Sequence, residues 1–175
     1  MARRHHYRQG LARHVGRQTR PLAFRRVGPH RRDQPARSAA RGQVGRALIL
    51  ESAFLRDLER AHRRGVTGGA LEFLEANQDA RLYLPFVVAG EIASGISMRD
   101  RARWEAFLAP YYVLPLTPDV SWQYGRAFRH LRNNRNLIDR NDLWIAATGL
   151  AYEMPVVTRN VEHFRRVPGL EVESY

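Results

Sequence analysis

The chain has 175 residues, with 29 basic residues that are all arginine, 17 acidic residues and no cysteine. Because it has no lysine, it cannot be a Walker-type phosphate-loop protein, a Schiff-base enzyme or a phospho-acceptor receiver domain. The lack of cysteine excludes disulfides, a thiol nucleophile and cysteine-ligated zinc, and it suits a reducing compartment, so we expect a cytoplasmic protein.

The net charge of +12 comes entirely from the N-terminal part of the chain. Residues 1–46 contain 13 arginines and one acid, Asp33, whereas residues 47–175 contain 16 arginines and 16 acids. Residues 1–46 show no apolar periodicity, which predicts a disordered, Arg-rich extension. Two interpretations stay open. The extension binds a nucleic-acid backbone, or it is dispensable sequence upstream of a native start near Val44.

From Ala47 onward, short apolar runs alternate with amphipathic stretches. This pattern favours a single α/β domain over residues 47–175, a three-layer sandwich with a mostly parallel β-sheet flanked by helices. No apolar run is long enough to cross a membrane. The predicted elements in chain order are strand Ala47–Leu50, helix Ala53–Arg63, helix Ala70–Asn77, strand Arg81–Leu84, helix Phe86–Ile96, helix 99–109, strand Tyr111–Leu116, helix Asp119–Asn134, helix Asp142–Glu153, strand Pro155–Thr158, helix Val161–Arg166 and strand Leu170–Val172.

Four polar residues are predicted to converge beyond the carboxyl ends of the strands, where open parallel sheets bind ligands. Glu51 directly follows the first strand, Asn160 follows a later one, and Asp142 opens the helix that leads to that later strand. Glu91 is the single charge in an apolar helix. Three carboxylates and an amide, with no histidine or lysine among them, indicate a Mg²⁺ or Mn²⁺ site. Such a site supports hydrolysis of a phosphodiester.

Each of these residues also has a structural interpretation. Asp142 suits the positive end of a helix, Asn160 suits a helix N-cap, and Glu51 suits an exposed strand end. Glu91 is harder to explain in this way, because burying a lone carboxylate is costly unless it is paired or binds a metal.

Residues 47–175 resemble the PIN-domain ribonucleases, in particular the VapC-type toxins of bacterial toxin–antitoxin pairs. The most specific block is the segment NDLWIAAT from Asn141 to Thr148. The other matching blocks are VTRNVEHF from Val157 to Phe164, VPGL from Val167 to Leu170, GEIASG from Gly90 to Gly95 and ILESAF from Ile49 to Phe54.

The resemblance implies the toxin component of a type II toxin–antitoxin system: a divalent-metal endoribonuclease that cuts RNA, is silenced by a cognate antitoxin and forms a homodimer. Carried over by position, Glu51, Glu91 and Asp142 would hold the Mg²⁺ or Mn²⁺. Asn160 would be the fourth polar member of the catalytic site, and Thr158 would support it.

The first motif departs from the family pattern at two positions. An aspartate is usual where this chain has Glu51, and a serine or asparagine is common where it has Ala53. The extra methylene of Glu51 moves its oxygens by roughly 1.5 Å, and Mg²⁺ demands near-octahedral geometry. A second hypothesis is therefore a weakened or silent PIN domain that binds a protein or RNA, and a third is a nuclease directed at DNA.

The helix predicted over Asp119–Asn134 carries arginines and aromatic residues with two open interpretations. Arg126, Arg129 and Arg132 recur at steps of three residues, followed by Arg135 after the same interval, so they wind around the helix instead of lining one face. One interpretation is that these arginines contact RNA phosphates near the site, and the other is that they form a solvated helix surface. For Trp122 and Tyr124, one interpretation is that their rings stack on a base, and the other is that they pack in the core.

Overall fold

The computed structural model describes residues 45–95 and 98–175, which form a β-sheet with helices packed around it. The predicted disordered extension lies outside the described residues except for its last two positions. The elements are β1 Ala47–Leu50, α1 Ser52–Arg64, α2 Gly69–Ala76, β2 Arg81–Pro85, α3 Phe86–Ala93, α4 Arg101–Leu108, β3 Tyr112–Leu114, α5 Pro118–Asn133, α6 Arg140–Tyr152, β4 Val156–Val157, α7 Val161–Phe164 and β5 Val172–Glu173.

The sheet has five strands in the order β3-β2-β1-β4-β5, and each neighbouring pair is parallel. The prediction of a mostly parallel sheet is confirmed, and within the described residues the sheet is entirely parallel. The chain builds outward from the central β1 to β2 and β3, and then continues on the other side of β1 with β4 and β5. The strand order therefore reverses between β1 and β4, which is where sheets of this kind bind ligands.

The burial of β1 shows that helices cover both faces of the sheet. Leu48, Ile49 and Leu50 are each 0% exposed. Successive side chains of a strand point to opposite faces, so both faces are shielded from water and the predicted three-layer arrangement is confirmed. Among the described helices, none has both the length and the apolar character that crossing a bilayer requires.

Capping residues and prolines explain where the observed elements differ from the predicted ones. Helix α6 begins at Arg140 because the side chain of Asp139 accepts a hydrogen bond from the backbone N–H of Asn141 at 2.8 Å. Asp142 therefore lies in the first turn of α6 and does not open it. Strand β3 ends at Leu114, short of the predicted end, because Pro115 has no N–H to donate to a neighbouring strand.

Candidate metal centre

Glu51 and Thr158 lie side by side where the strand order reverses. Strands β1 and β4 pair in register through Leu50 and Val157, and Glu51 and Thr158 are the residues that directly follow. The hydroxyl of Thr158 donates a hydrogen bond to Oε1 of Glu51 at 2.9 Å. The sequence-based prediction that these two strand ends converge is confirmed by this contact.

Glu51 is a buried carboxylate. It is 5% exposed, so the interpretation of Glu51 as an exposed strand end is wrong. Its Oε2 accepts a hydrogen bond from the backbone N–H of Ala53 at 3.3 Å, so Glu51 also caps α1. Burial raises the pKa of Glu51, the bonds from Thr158 and Ala53 oppose that shift, and the charge of Asp142 adds to it.

The carboxylate of Glu91 is held from two sides. Ser52, in the first turn of α1, donates its hydroxyl to Oε2 of Glu91, and the side-chain amide of Asn141 in α6 donates to Oε1. Glu91 therefore connects α3 to α1 and α6. The expectation that a lone carboxylate in this apolar helix needs partners is confirmed, and both of the donors are neutral.

Asp142 lies next to a histidine that the sequence-based reasoning missed. Its Oδ2 is 2.9 Å from Nε2 of His163 in α7. That nitrogen is buried and has no partner among the described residues that meets the geometry of a hydrogen bond, so the contact is an ion pair when the imidazole is protonated. Burial raises the pKa of Asp142, His163 opposes the shift, and the charges of Asp139 and Glu91 add to it. The expected site without a histidine is thus wrong.

Asn160 contacts the site through its backbone N–H, which reaches Thr158. It occupies the N-cap position of α7, but its side chain forms no cap hydrogen bond, so the interpretation of this side chain as a cap is wrong. Its backbone N–H donates to the hydroxyl of Thr158 at 2.9 Å. The side chain of Asn160 is exposed at the rim of the site.

The three carboxylates influence one another electrostatically. The charge of Asp142 raises the pKa of Glu51, and the charge of Glu91 raises the pKa of Asp142. Like charges in one place disfavour ionisation, and a divalent cation removes that penalty. The oxygen donors of Glu51, Glu91 and Asp142 thus have the chemistry that suits Mg²⁺ or Mn²⁺.

The positions of these carboxylates set a limit on that fit. Within residues 45–95 and 98–175, no three His, Cys, Asp or Glu side chains lie close enough together to ligate a single ion as a group. An oxygen that accepts one hydrogen bond still has a second lone pair, so the bonds from Thr158, Ser52 and Asn141 leave capacity for a cation. The three carboxylates therefore fit a metal ion by the type of their oxygen ligands and not by a grouped arrangement of their side chains.

Three residues at the site were not predicted from the sequence. Asn141 directly precedes Asp142, and His163 follows Asn160 by three residues, a spacing that places two side chains on the same side of a helical turn. These signals were present in the sequence. Ser52 has no comparable signal in the sequence, because its contact with Glu91 depends on how α1 lies against α3.

Comparisons with known proteins identify the family of this chain. The model of the PIN domain family matches residues 47–170. Ribonuclease VapC10 of Mycobacterium tuberculosis is 31% identical over 108 residues, which are 62% of this chain and 81% of that protein. Ribonuclease VapC19 of the same species is 30% identical over 111 residues, which are 63% of this chain and 89% of that protein.

Solved structures show the same fold. The VapBC2 structure from Rickettsia felis, bound to a DNA fragment from its promoter, has a TM-score of 0.62 at 18% identity and covers 74% of this chain and 98% of its own. The VapBC-1 structure from nontypeable Haemophilus influenzae has a TM-score of 0.57 at 21% identity and covers 73% of this chain and 97% of its own. Because the family match runs from β1 to Leu170 and most of the length of the VapC relatives is covered, this chain belongs to the PIN-domain family, in the VapC group.

Proposed function

We propose that this protein is a divalent-metal-dependent endoribonuclease, the toxin component of a type II toxin–antitoxin system. The observation that carries the proposal is that the carboxylate of Glu91 contacts Ser52 and Asn141, the chain neighbours of Glu51 and Asp142, so that carboxylates from three separate elements lie in one region. There the charge of Asp142 raises the pKa of Glu51, and the charge of Glu91 raises the pKa of Asp142. The relatives VapC10 and VapC19 are named ribonucleases, which supports RNA as the substrate.

Glu51, Glu91 and Asp142 are the residues that would hold Mg²⁺ or Mn²⁺. Such an ion would lower the pKa of a water molecule and would neutralise charge on the leaving phosphate oxygen. The chain's own residues keep the carboxylates in place for it. Ser52 and Asn141 hold Glu91.

Thr158 and His163 complete the support of the carboxylates. Thr158 fixes one oxygen of Glu51, and His163 is paired with one oxygen of Asp142. The exposed side chain of Asn160 is available to orient water or substrate at the rim.

The proposed partners follow from the relatives. Structural neighbours with the same fold are VapBC complexes, which supports a cognate antitoxin that silences this chain. We also propose a homodimer, as the family resemblance implies, and action in the cytoplasm, which the absence of cysteine suits. Copurification with the product of the neighbouring reading frame, followed by a mass measurement of the complex, tests both partners.

RNA cleavage with added metal tests the proposed activity. Wild-type protein, Asp142→Ala and the matched control Glu162→Gln are incubated with transfer RNA and single-stranded RNA in EDTA, Mg²⁺ or Mn²⁺. Glu162 is an exposed carboxylate on α7 (85% exposed) and serves as the control for removing a negative charge nearby. We expect metal-dependent cleavage by the wild type and the control and none by Asp142→Ala. Equal cleavage by all three, or none under any metal, would refute the proposed activity.

A catalytically silent PIN domain is the second candidate. It is favoured by Glu51 in the place of an aspartate and by the lack, in the described ranges, of three side chains grouped to ligate one ion. This candidate predicts RNA or protein binding without cleavage and without a saturable Mn²⁺ site.

The third possibility is a nuclease directed at DNA. A DNA strand of the same sequence is added to the cleavage assay, and preferential cleavage of that strand would identify such an enzyme.

A further inference from the structure

Helix α5 has an outer face that is opposite to its packed face. Val120, Ala127 and Leu131 are buried on the packed side. At 100° per residue, the side chains of Trp122, Arg126 and Arg129 fall within about 60° of one another on the opposite side. These last three residues define what we call the outer face of α5.

Trp122 is the most exposed large apolar residue among those described, at 64%. The guanidinium of Arg129 lies 5.9 Å from the centre of its ring, within the range of a cation–π contact. Gly125 lies between them, and a side chain there would begin 3.3 Å from Nη1 of Arg129. The absence of a side chain at Gly125 therefore lets Arg129 fold back over the helix toward Trp122.

The other candidates on α5 are already engaged. The ring of Tyr124 stacks on that of Trp144 at a centroid distance of 3.9 Å, so the interpretation of Tyr124 as a packing residue is supported. The guanidinium of Arg132 lies 5.6 Å from the ring of Phe128, away from the outer face. Trp122 is thus the aromatic residue of α5 that remains available to a ligand.

The arginines of the outer face form no ion pair among the described residues, although Asp119 in the first turn of α5 falls about 60° from Trp122 on the same side of the helix. Arg126 contacts the neutral Gln123. Residues 47–175 as a whole carry equal numbers of arginines and acids. The two arginines of the outer face outnumber the one carboxylate of Asp119, and a surface of net positive charge on a neutral domain is complementary to a polyanion.

Helix α5 runs toward the site. Residues 134–139 join it to α6, and Asp142 lies in the first turn of α6. The two helices are antiparallel, because Tyr152 at the end of α6 donates to the carbonyl of Pro115, which precedes α5, at 3.4 Å. The C-terminal end of α5 is therefore next to Asp142. Trp122 lies about 17 Å along the helix from Asn133, the span of a few nucleotides.

We propose that the outer face of α5 binds single-stranded RNA that extends away from the cleavage site. A base stacks on the indole of Trp122, and Arg126 and Arg129 contact phosphates on the way to it. This proposal rests on the proposed ribonuclease function and adds a place for substrate outside the carboxylate cluster. An RNA strand is favoured over a protein partner because the surface combines one exposed aromatic ring with two arginines that form no ion pair among the described residues.

The test is the binding of a labelled single-stranded RNA to the full-length protein in EDTA, measured by fluorescence anisotropy at several salt concentrations. The variants are Trp122→Ala, Trp122→Phe and the double variant Arg126→Gln/Arg129→Gln. The matched control is Arg101→Gln/Arg103→Gln, which removes two exposed arginines from α4. Residues 1–46 are the same in every protein, so any binding by them cancels when the variants are compared.

Three results are expected. Trp122→Ala weakens binding between about 5-fold and about 150-fold, the range for loss of one stacked base, and Trp122→Phe restores most of it. The arginine double variant lowers the slope of log K against log salt by about 1.4, the value for two contacts to a single strand. The α4 control keeps the wild-type slope.

Wild-type affinity in Trp122→Ala, or the same slope in both double variants, would overturn the proposal. It would also be overturned if Trp122→Ala changed the mass of a homodimer or an antitoxin complex but not RNA affinity, since the face would then be a protein interface. The same preparations are assayed for cleavage. If the wild type cleaves RNA with metal but the variants of the outer face bind RNA as the wild type does, this inference alone is refuted. If the wild type cleaves RNA under no metal, the proposed function is refuted instead.

Discussion

Ser52, at the start of α1, donates its hydroxyl to the carboxylate of Glu91 in the last turn of α3. This chain has Ala53 at the next position, and the hydroxyl that contacts Glu91 comes from Ser52. The support of Glu91 is therefore present in spite of the departure at Ala53.

Ser52→Ala should reduce metal-dependent cleavage by about 10-fold to 100-fold, the usual cost of losing a group that orients a metal ligand. Ser94→Ala is a matched control, because Ser94 also donates to Glu91 but to its backbone carbonyl, at 2.7 Å. We expect near wild-type cleavage from Ser94→Ala. Initial cleavage rates at saturating Mn²⁺ measure both, and a similar rate for the two variants would contradict an orienting role for Ser52.

Thr158→Val removes the hydrogen bond to Glu51 and leaves a buried carboxylate with one donor fewer. The free energy of unfolding should fall by about 1 to 3 kcal/mol, and cleavage should fall with it because the pKa of Glu51 rises further. Thr148 is an equally buried threonine whose hydroxyl donates to the carbonyl of Trp144, within α6. Urea unfolding and cleavage of Thr148→Val provide the comparison, and an equal loss of cleavage in both variants would rule out a specific role for Thr158.

The raised pKa of Glu51 predicts a stability that depends on pH in the absence of metal. Its carboxyl binds a proton more tightly in the folded state, so its contribution to stability is complete below the unfolded pKa of 4.5 and is lost as the pH rises through the folded value. Glu51→Gln should therefore raise the Tm at pH 7 in EDTA, and the gain should vanish near pH 4. Each unit of difference in pKa corresponds to about 1.4 kcal/mol.

Thermal unfolding of the wild type, Glu51→Gln and Glu162→Gln at both pH values measures this effect. The exposed Glu162 serves as the control, and its variant should follow the wild type at each pH. A Tm of Glu51→Gln that is equal to or below that of the wild type at pH 7 would be inconsistent with a carboxylate destabilised by burial.

Two glycines in helices should respond to alanine in opposite directions. A methyl group at Gly149 in α6 would meet Leu170 Cδ1 at 2.8 Å and Val156 Cγ2 at 3.0 Å, so Gly149→Ala should destabilise the fold by about 1 to 3 kcal/mol. Nothing lies within 4 Å of such a group at Gly90 in α3, where alanine should stabilise by about 1 kcal/mol. Urea unfolding of both variants checks the signs, and equal effects would mean that α6 does not pack against β4 this closely.

The sequence was sufficient to predict the parallel sheet and the meeting of the ends of β1 and β4, because parallel strands bring their carboxyl ends to one edge. It was not sufficient for side chains that depend on how helices approach one another. The contact between Asp142 and His163 requires α6 and α7 to converge, and the contact of Asn141 with Glu91 requires α6 to lie against α3. Such helix approaches are set by core packing, which has no local pattern in the sequence.

The most direct test of the metal centre is a calorimetric titration of the metal-free, full-length protein with Mn²⁺. The variants are Asp142→Ala, Glu91→Gln and the exposed control Glu162→Gln. We expect a saturable site in the wild type and in Glu162→Gln, and loss of that site in Asp142→Ala and Glu91→Gln. Absence of saturable binding in the wild type, or equal binding by all four proteins, would contradict a metal centre formed by Glu51, Glu91 and Asp142.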